Sequence, residues 1–385
     1  MYRIKTYNKI SKVGLQVFDD KYTVGNEVEN ADGAIVRSAA LHDELFPKTL
    51  LGIARAGAGT NNIPIDRCSE EGIVVFNTPG ANANAVKELV IAGLFLASRK
   101  IVSGIAWANT LKGTEGVEKA VEKGKGAFAG PEIKGKTLGV IGLGAIGAMV
   151  ANAASDLGMK VYGYDPYLSV KSALNLNHSI NYIPDLKDIF RNCDYITVHV
   201  PLLDSTKNLI GAESIALMKD GVRILNFSRG GLVNSEAMLT ALASGKVASY
   251  VTDFPSEEML GVDGVVAIPH LGASTPESED NCALMAAKEL IDYIENGNIE
   301  NSVNLPAISM PRSSDKRICV IHKNIPNTLT AITSIVAADG VNIENMLNRS
   351  KGDYAYTMLD VAPTDYDKVC EQIKGINGVI RVRVI

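Results

Sequence analysis

At 385 residues, 46% of them hydrophobic, the chain is long enough for two or three domains with sizeable cores. Its formal net charge of -5 and pI near 5.7 exclude the basic excess that a nucleic-acid or membrane-surface protein uses to neutralise phosphates. The apolar run at 89–97 is far shorter than the ~20 residues a bilayer span takes, MYRIKTYNKI lacks the apolar core of a signal peptide, and five cysteines without a C-x-x-C spacing point to reduced thiols in a cytoplasmic protein with no metal site.

From the N-terminus, residues 1–100 alternate strand and helix patterns. Strands are predicted at 33–36, 52–55 and 73–76, and such βα repetition implies a parallel sheet whose loops gather at one end. Arg37 follows the first of these strands. The second runs into Ala56-Gly57-Ala58-Gly59-Thr60, where the glycines leave backbone N–H groups free to cradle a carboxylate; an ordinary connection is the competing reading. A long helix is predicted after Gly80, with Val86, Val90, Leu94 and Leu96 apolar. Residues 111–136 are rich in Lys, Glu and Gly and read as a solvated helix and loop.

The strongest signal runs from Thr137 to Pro166. An apolar strand at 138–141 leads into Gly142-x-Gly144-x-x-Gly147, a helix with Ile146, Val150, Ala154 and Leu157 on one face, and a second strand at 161–164 that ends on Asp165. In this pattern the first glycine permits a tight turn, the second lets the backbone approach a pyrophosphate, and the third lets the helix pack on the strand. The helix start offers N–H groups and partial positive charge, and the acid accepts both ribose hydroxyls of NAD while repelling the extra phosphate of NADP.

Further strands are predicted at 195–200, 222–226, 248–252 and 265–268. Arg229 follows one of them, in Phe227-Ser228-Arg229-Gly230-Gly231. A guanidinium there can hold a carboxylate in fork geometry and polarise an adjacent carbonyl. His270 follows Ile-Pro and suits general acid/base work, taking a hydroxyl proton while a hydride leaves. Glu257, paired with His270, would favour the charged imidazole. Together the three fit hydride transfer at a 2-hydroxy acid. His42, His178 and His199 are read as structural, His199 as lining an adenine pocket. A helix around 277–296 is expected to return to the first domain. Residues 307–316 read as a linker, and the last ~70 residues follow β-α-β-β-α-β, the ferredoxin-like order.

The segments 142–147, 226–233 (NFSRGGLV) and 269–275 (PHLGAST) resemble signatures of the D-isomer-specific 2-hydroxyacid dehydrogenases, in particular the branch that oxidises 3-phospho-D-glycerate with NAD in the first step of L-serine biosynthesis. The resemblance covers essentially the whole chain, and the tail resembles an ACT domain, a module that binds amino acids. It implies an α/β fold with two doubly wound parallel-sheet domains, a flavodoxin-like substrate domain at 1–95 and 271–306 and a Rossmann-type NAD domain at 96–270, then a linker at 307–316 and a ferredoxin-like ACT domain at 317–385. It implies Arg229, Glu257 and His270 as catalytic residues. Implied cofactor contacts are Gly142, Gly144, Ala145, Ile146, Gly147, Asp165, Phe227, Ser228, Arg229 and Asp253. Gly57, Ala58, Gly59 and Asn82 would meet 3-phosphoglycerate, with Arg37 reaching its phosphate from a facing subunit. His322, Asn324 and Asn342 would hold an L-serine effector, although the usual Gly after Pro326 is Asn327. A homodimer or homotetramer is expected. The chain departs from the family's Asp-Val-Phe-x-x-Glu-Pro, showing Thr252-Asp253-Phe254-Pro255-Ser256-Glu257-Glu258, so that counting from Phe254 gives Glu257 and counting from Asp253 gives Glu258. Two alternatives stand beside this reading: a reductase of hydroxypyruvate, glyoxylate or another 2-hydroxyacid, and a non-catalytic NAD(H)-sensing binding protein.

Overall fold

The computed structural model describes residues 1–385, the side chain of Lys171 excepted. Two compact units emerge, residues 1–82 with 276–385, and residues 83–275.

The first unit holds a sheet of five parallel strands, β1 (Tyr2–Tyr7), β2 (Tyr22–Gly25), β3 (Gly33–Val36), β4 (Gly52–Arg55) and β5 (Val74–Phe76), in the order β2-β1-β3-β4-β5. This is the flavodoxin-like order, whose topological switch point lies between β1 and β3. β1 and β2 escape the sequence pattern because their residues do not form an apolar run: only Ile4 and Thr6 of β1 and Tyr22 of β2 are buried. The helix Pro276–Asn296 covers the sheet with Ala283, Ala286, Ala287, Leu290 and Ile294. Its Leu290 side chain leaves no room for a Cβ at Gly33, where the nearest atom would lie 2.8 Å away.

The second unit holds seven parallel strands: β6 (Thr137–Ile141), β7 (Lys160–Tyr164), β8 (Asn181–Tyr182), β9 (Tyr195–Val198), β10 (Val222–Asn226), β11 (Val247–Thr252) and β12 (Val265–Ala267). Their order, β12-β11-β10-β9-β6-β7-β8, is doubly wound, with its switch point between β6 and β9. The strand predicted at 195–200 ends at Val198, which leaves His199 in the loop beside the glycine turn. The helix Ala83–Ser98 belongs to this unit, because Val90 and Leu94 pack with Leu138, Val140, Leu225 and Val251. The chain therefore crosses between units at Asn82/Ala83 and Thr275/Pro276, against the expected 95/96 and 270/271.

The tail forms β13 (Arg317–Lys323), β14 (Ile343–Lys351), β15 (Tyr354–Val361) and β16 (Val379–Val384), antiparallel in the order β14-β15-β13-β16, with helices Thr328–Ala338 and Tyr366–Lys374. That is the ferredoxin-like arrangement. The tail shares the first unit's core. Arg383 stacks 4.1 Å from the Tyr293 ring centroid, Arg381 donates to the carbonyls of Leu50 (2.5 Å) and Glu71 (3.0 Å), and the Tyr356 hydroxyl donates to Gly297 O (2.9 Å). The segment 307–316 is not a loose tether: Ile308 and Met310 are buried in that core.

Candidate active site

The glycine turn lies at the switch point of the second sheet. Gly142 has φ +92°, and a Cβ there would fall 2.5 Å from His199 O, so only glycine fits. A Cβ on Gly147 would lie 1.8 Å from Gly142 O, which is the close helix–strand approach the motif requires. Gly144 faces open space and begins the 12-residue helix Ala145–Asp156 with no side-chain cap, which leaves its first N–H groups for a ligand. Asp165, half-buried at the end of β7, accepts from Leu143 N (2.9 Å) and Tyr167 N (2.8 Å). Both oxygens are thus oriented beside the turn and retain lone pairs for a ribose diol. His199 places Nε2 2.9 Å from Thr197 Oγ1, and burial lowers its pKa to about 4, so it stands as a neutral wall rather than an acid. An open approach at Gly144, an uncapped helix start and an oriented acid are the features a dinucleotide requires.

Past β10, Asn226 shapes the next loop: its Oδ1 accepts from Ser228 N (3.1 Å) and its Nδ2 donates to Arg229 O (2.9 Å). Ser228 Oγ donates to Val198 O (2.8 Å), tying the loop to β9. Phe227 is buried against Gly93. Arg229 is exposed, with its guanidinium 5.9 Å from the Phe254 ring centroid. His270 is also exposed, and its ring centroid lies 4.4 Å from that of Phe254, tilted by 50°. Phe254 thus gathers Arg229 and His270, 41 positions apart in the chain, about one aromatic ring. Sequence reasoning missed Phe254; its signal was an aromatic residue two positions after the end of β11.

Glu257 and Glu258 open a short 3₁₀ turn (Glu257–Met259) and are both exposed. Asp253 is 2% exposed, and both carboxylate oxygens are buried beside the Gly272 backbone. Burial raises its pKa, opposed by the charges of His270 and Arg229 and by the Gly272 backbone.

In the first unit, Gly57 has φ +149° and lies under the Arg55 guanidinium, whose Nη1 is 1.9 Å from where a Cβ would stand. Arg55 Nε donates to Arg37 O (3.2 Å), and the Arg37 guanidinium pairs with Glu279 Oε1 (2.8 Å). Arg37 follows β3, at the switch point of its sheet, where ligands of such folds bind. Arg55 was missed, though a cation at a strand end before a glycine turn is a readable signal. Asn77 Nδ2 donates to Ala58 O (2.6 Å) and Thr78 N to Gly57 O (3.1 Å), fixing the 57–59 turn; Asn82 sits in the turn before the helix Ala83–Ser98.

In the tail, His322 is buried, with Nδ1 2.8 Å from Lys323 O and Nε2 2.9 Å from Thr357 Oγ1. Asn324 donates to Gly352 O (3.1 Å) beyond one end of β15, while Asn342 O accepts from Ala362 N (3.0 Å) beyond the other. Eight residues of β15 separate them, about 25 Å at strand rise, so one copy does not bring Asn324 and Asn342 together. Asn327 stands where glycine was expected and takes a left-handed φ of +70°, which Asn tolerates better than most residues.

The sequence model of the family described as D-isomer specific 2-hydroxyacid dehydrogenase, NAD binding domain, matches residues 98–272. D-3-phosphoglycerate dehydrogenase of Escherichia coli K12 is 36% identical over 340 residues, 85% of this chain and 79% of that protein. The enzyme of the same name from Haemophilus influenzae is 32% identical over 89% of this chain and 82% of its own. Among solved structures, NAD+-bound 3-phosphoglycerate dehydrogenase of Entamoeba histolytica is similar with a TM-score of 0.61 and 27% identity, covering 79% of this chain and 98% of that one.

Proposed function

This chain belongs to the D-3-phosphoglycerate dehydrogenase family of the D-isomer specific 2-hydroxyacid dehydrogenases, and we propose that it oxidises 3-phospho-D-glycerate to 3-phosphohydroxypyruvate, the first step of L-serine biosynthesis. The observation that carries this reading is the meeting of Arg229 and His270 at Phe254, in the unit that holds the nucleotide turn. Bound NAD supplies the acceptor for the hydride leaving C2. His270 takes the C2 hydroxyl proton as the carbonyl forms, and Arg229 holds the substrate carboxylate and polarises the carbonyl oxygen. Arg37 of a facing subunit anchors the phosphate, and Gly57, Ala58, Gly59 and Asn82 meet the rest of the substrate. Residues 1–82 with the helix Pro276–Asn296 serve as the substrate domain, residues 83–275 as the NAD domain and the tail as the regulatory module.

The test is steady-state kinetics with NAD, comparing 3-phosphoglycerate with unphosphorylated 2-hydroxy acids. His270→Ala is expected to lower kcat by about 10²–10⁴-fold, the usual weight of a positioned acid/base. Equal turnover by that variant, or a preference for unphosphorylated substrate, overturns the reading.

Ile101, Val102 and Ile105 are exposed on the helix Ile101–Thr110, where no residue is buried, and support a homodimer through this unit. The separation of Asn324 from Asn342 supports an L-serine site that draws one from each of two tails, which would make a homotetramer. Five buried, unpaired cysteines support a cytoplasmic setting, and among the described residues no single helix is long and apolar enough to cross a membrane.

A further inference from the structure

We propose that the first unit carries a binding site for a small organic ammonium ion, in the cavity between the helix Pro276–Asn296 and the segment that follows it. The cavity measures about 380 Å³, within the range of small-molecule sites. Asn281, Leu284, Met285, Lys288, Glu289 and Asp292 form its helical wall, spaced so that all six fall on one face of the helix. The opposite face carries Ala283, Ala286, Ala287 and Leu290, which cover the sheet. Gly297, with φ +76°, turns the chain back, and Asn298 and Glu300 close the cavity from that side. Asn298 Nδ2 donates to Asp292 Oδ1 (3.2 Å) and Met310 N to Asn298 Oδ1 (3.2 Å), so the two walls are tied to each other and to the segment that leads into the tail.

Three carboxylates, Glu289, Asp292 and Glu300, line the cavity against one ammonium, Lys288, and among the described residues none of the four forms an ion pair. Acids alone would make a solvated face. Glu289 is the difference: it is 7% exposed, its Oε1 accepts from Asn301 Nδ2 (2.5 Å), and its Oε2 is buried with no hydrogen-bond partner. A buried carboxylate with a free oxygen is costly until a donor meets it, and a positive charge relieves it further. A primary ammonium supplies both, with three N–H donors and no acceptor. Leu284 and Met285 give the methylenes of such a ligand an apolar wall. Among the described residues no group of three or more His, Cys, Asp or Glu is placed to hold a metal ion, so the donor set suits an organic cation. The charges facing Glu289 are Lys288 and Asp292 on its own helix and Glu300 on the returning segment. Glu300 disfavours the ionised form of Glu289, and a bound ammonium counters that repulsion.

The test is isothermal titration calorimetry of the full chain with 1,4-diaminobutane as the probe, for wild type, Glu289→Gln, Glu300→Gln and the exposed surface-charge control Glu27→Gln. Wild type and E27Q are expected to bind alike. E289Q removes the charge and keeps the shape, and is expected to bind about 10–100-fold more weakly, the worth of one charge-assisted hydrogen bond. E300Q is expected to weaken binding less, and its result is readable even if E289Q does not fold. Burial raises the Glu289 pKa to about 7, so wild-type affinity should fall by about 10-fold from pH 8 to pH 6, and that fall should vanish in E289Q. The proposal is overturned if wild type binds no diamine at millimolar concentration, or if E289Q and E300Q both bind as tightly as wild type. It is equally overturned if calcium chloride gives the same heat with the same loss in E289Q, which makes the site one for a metal ion. None of these measurements needs turnover, so they stand apart from the dehydrogenase reading.

Discussion

Replacing Asp360 by Asn should loosen the tail far more than its distance from the nucleotide turn would suggest. Arg317 and Asp360 are both wholly buried and meet through two hydrogen bonds, Nε to Oδ1 at 2.6 Å and Nη2 to Oδ2 at 2.9 Å. Ser313 adds two donors to Oδ2, from N at 2.8 Å and Oγ at 2.9 Å, and Arg317 also reaches the carbonyls of Asn296 (2.8 Å) and Pro311 (3.0 Å). This clamp joins β13 and β15 to the segment before the tail and to the end of the helix Pro276–Asn296. Breaking a buried pair by removing one charge costs about 3–5 kcal/mol, because the other is left uncompensated. At 1.4 kcal/mol per decade, the opening equilibrium of the tail should rise by about 10²–10⁴-fold in D360N. Hydrogen exchange followed by mass spectrometry on peptides from β13 and β15 measures that opening directly; Trp107, the one tryptophan, lies in the other unit and does not report on it. The double variant R317M/D360L, apolar on both sides, should recover most of the loss. Burial alone would raise the Asp360 pKa, but the hydrogen bonds from Arg317 and Ser313 outweigh it and hold the carboxyl below its ordinary range. Its contribution is therefore fully present above about pH 4 and lost as pH falls through the lower folded value. Unchanged β13 and β15 protection in D360N, or a double variant as loose as the single one, refutes the clamp.

Asp165→Ser should weaken NAD by about 10–100-fold in KM, because the ribose acceptor and the two bonds to Leu143 N and Tyr167 N go together, and it should narrow the gap between NAD and NADP; an unaltered NAD:NADP ratio of kcat/KM would refute the assignment. Glu289 is 7% exposed, its Oε1 accepts from Asn301 (2.5 Å), its Oε2 has no partner, and burial raises its pKa to about 7. For an acid so shifted, the associated stability is fully present below about pH 4.5 and lost as pH rises through 7. Glu289→Gln should therefore stabilise the protein at pH 8 by up to about 3 kcal/mol and flatten the fall in Tm between pH 5 and 8; calorimetry showing the same slope in both proteins refutes it.

What could be read from the sequence followed how local its physical cause was. Gly147 is dictated by Gly142 O within the same turn, and Gly142 by its own φ of +92°, so their spacing announced the turn, the helix and Asp165 together. The order of the tail's elements was equally plain, since runs such as RICVIHK, YAYTMLDV and VIRVRV carry regularly placed apolar residues and are bounded by turns. β1 was hidden because YRIKTY buries only Ile4 and Thr6, although it lies inside its sheet. The helix Ala83–Ser98 was visible as a helix, but nothing in its own residues says which sheet receives Val90 and Leu94. The clamp joins positions 43 apart, and no spacing rule reaches so far.

The segment after β11 shows the same logic at its finest grain. In an extended chain, moving a side chain by one position sends it to the opposite face. With Phe254 in register, the family's Asp falls on Thr252, whose Oγ1 instead accepts from Phe254 N (3.0 Å). The acid then stands at 253, buried, with Oδ2 3.5 Å from where a Cβ on Gly272 would stand. A motif read as a list of residue types treats this as a small irregularity. Read as geometry, the shift by one position buries the carboxylate, with Asp253 only 2% exposed while Glu257 and Glu258 stand in water.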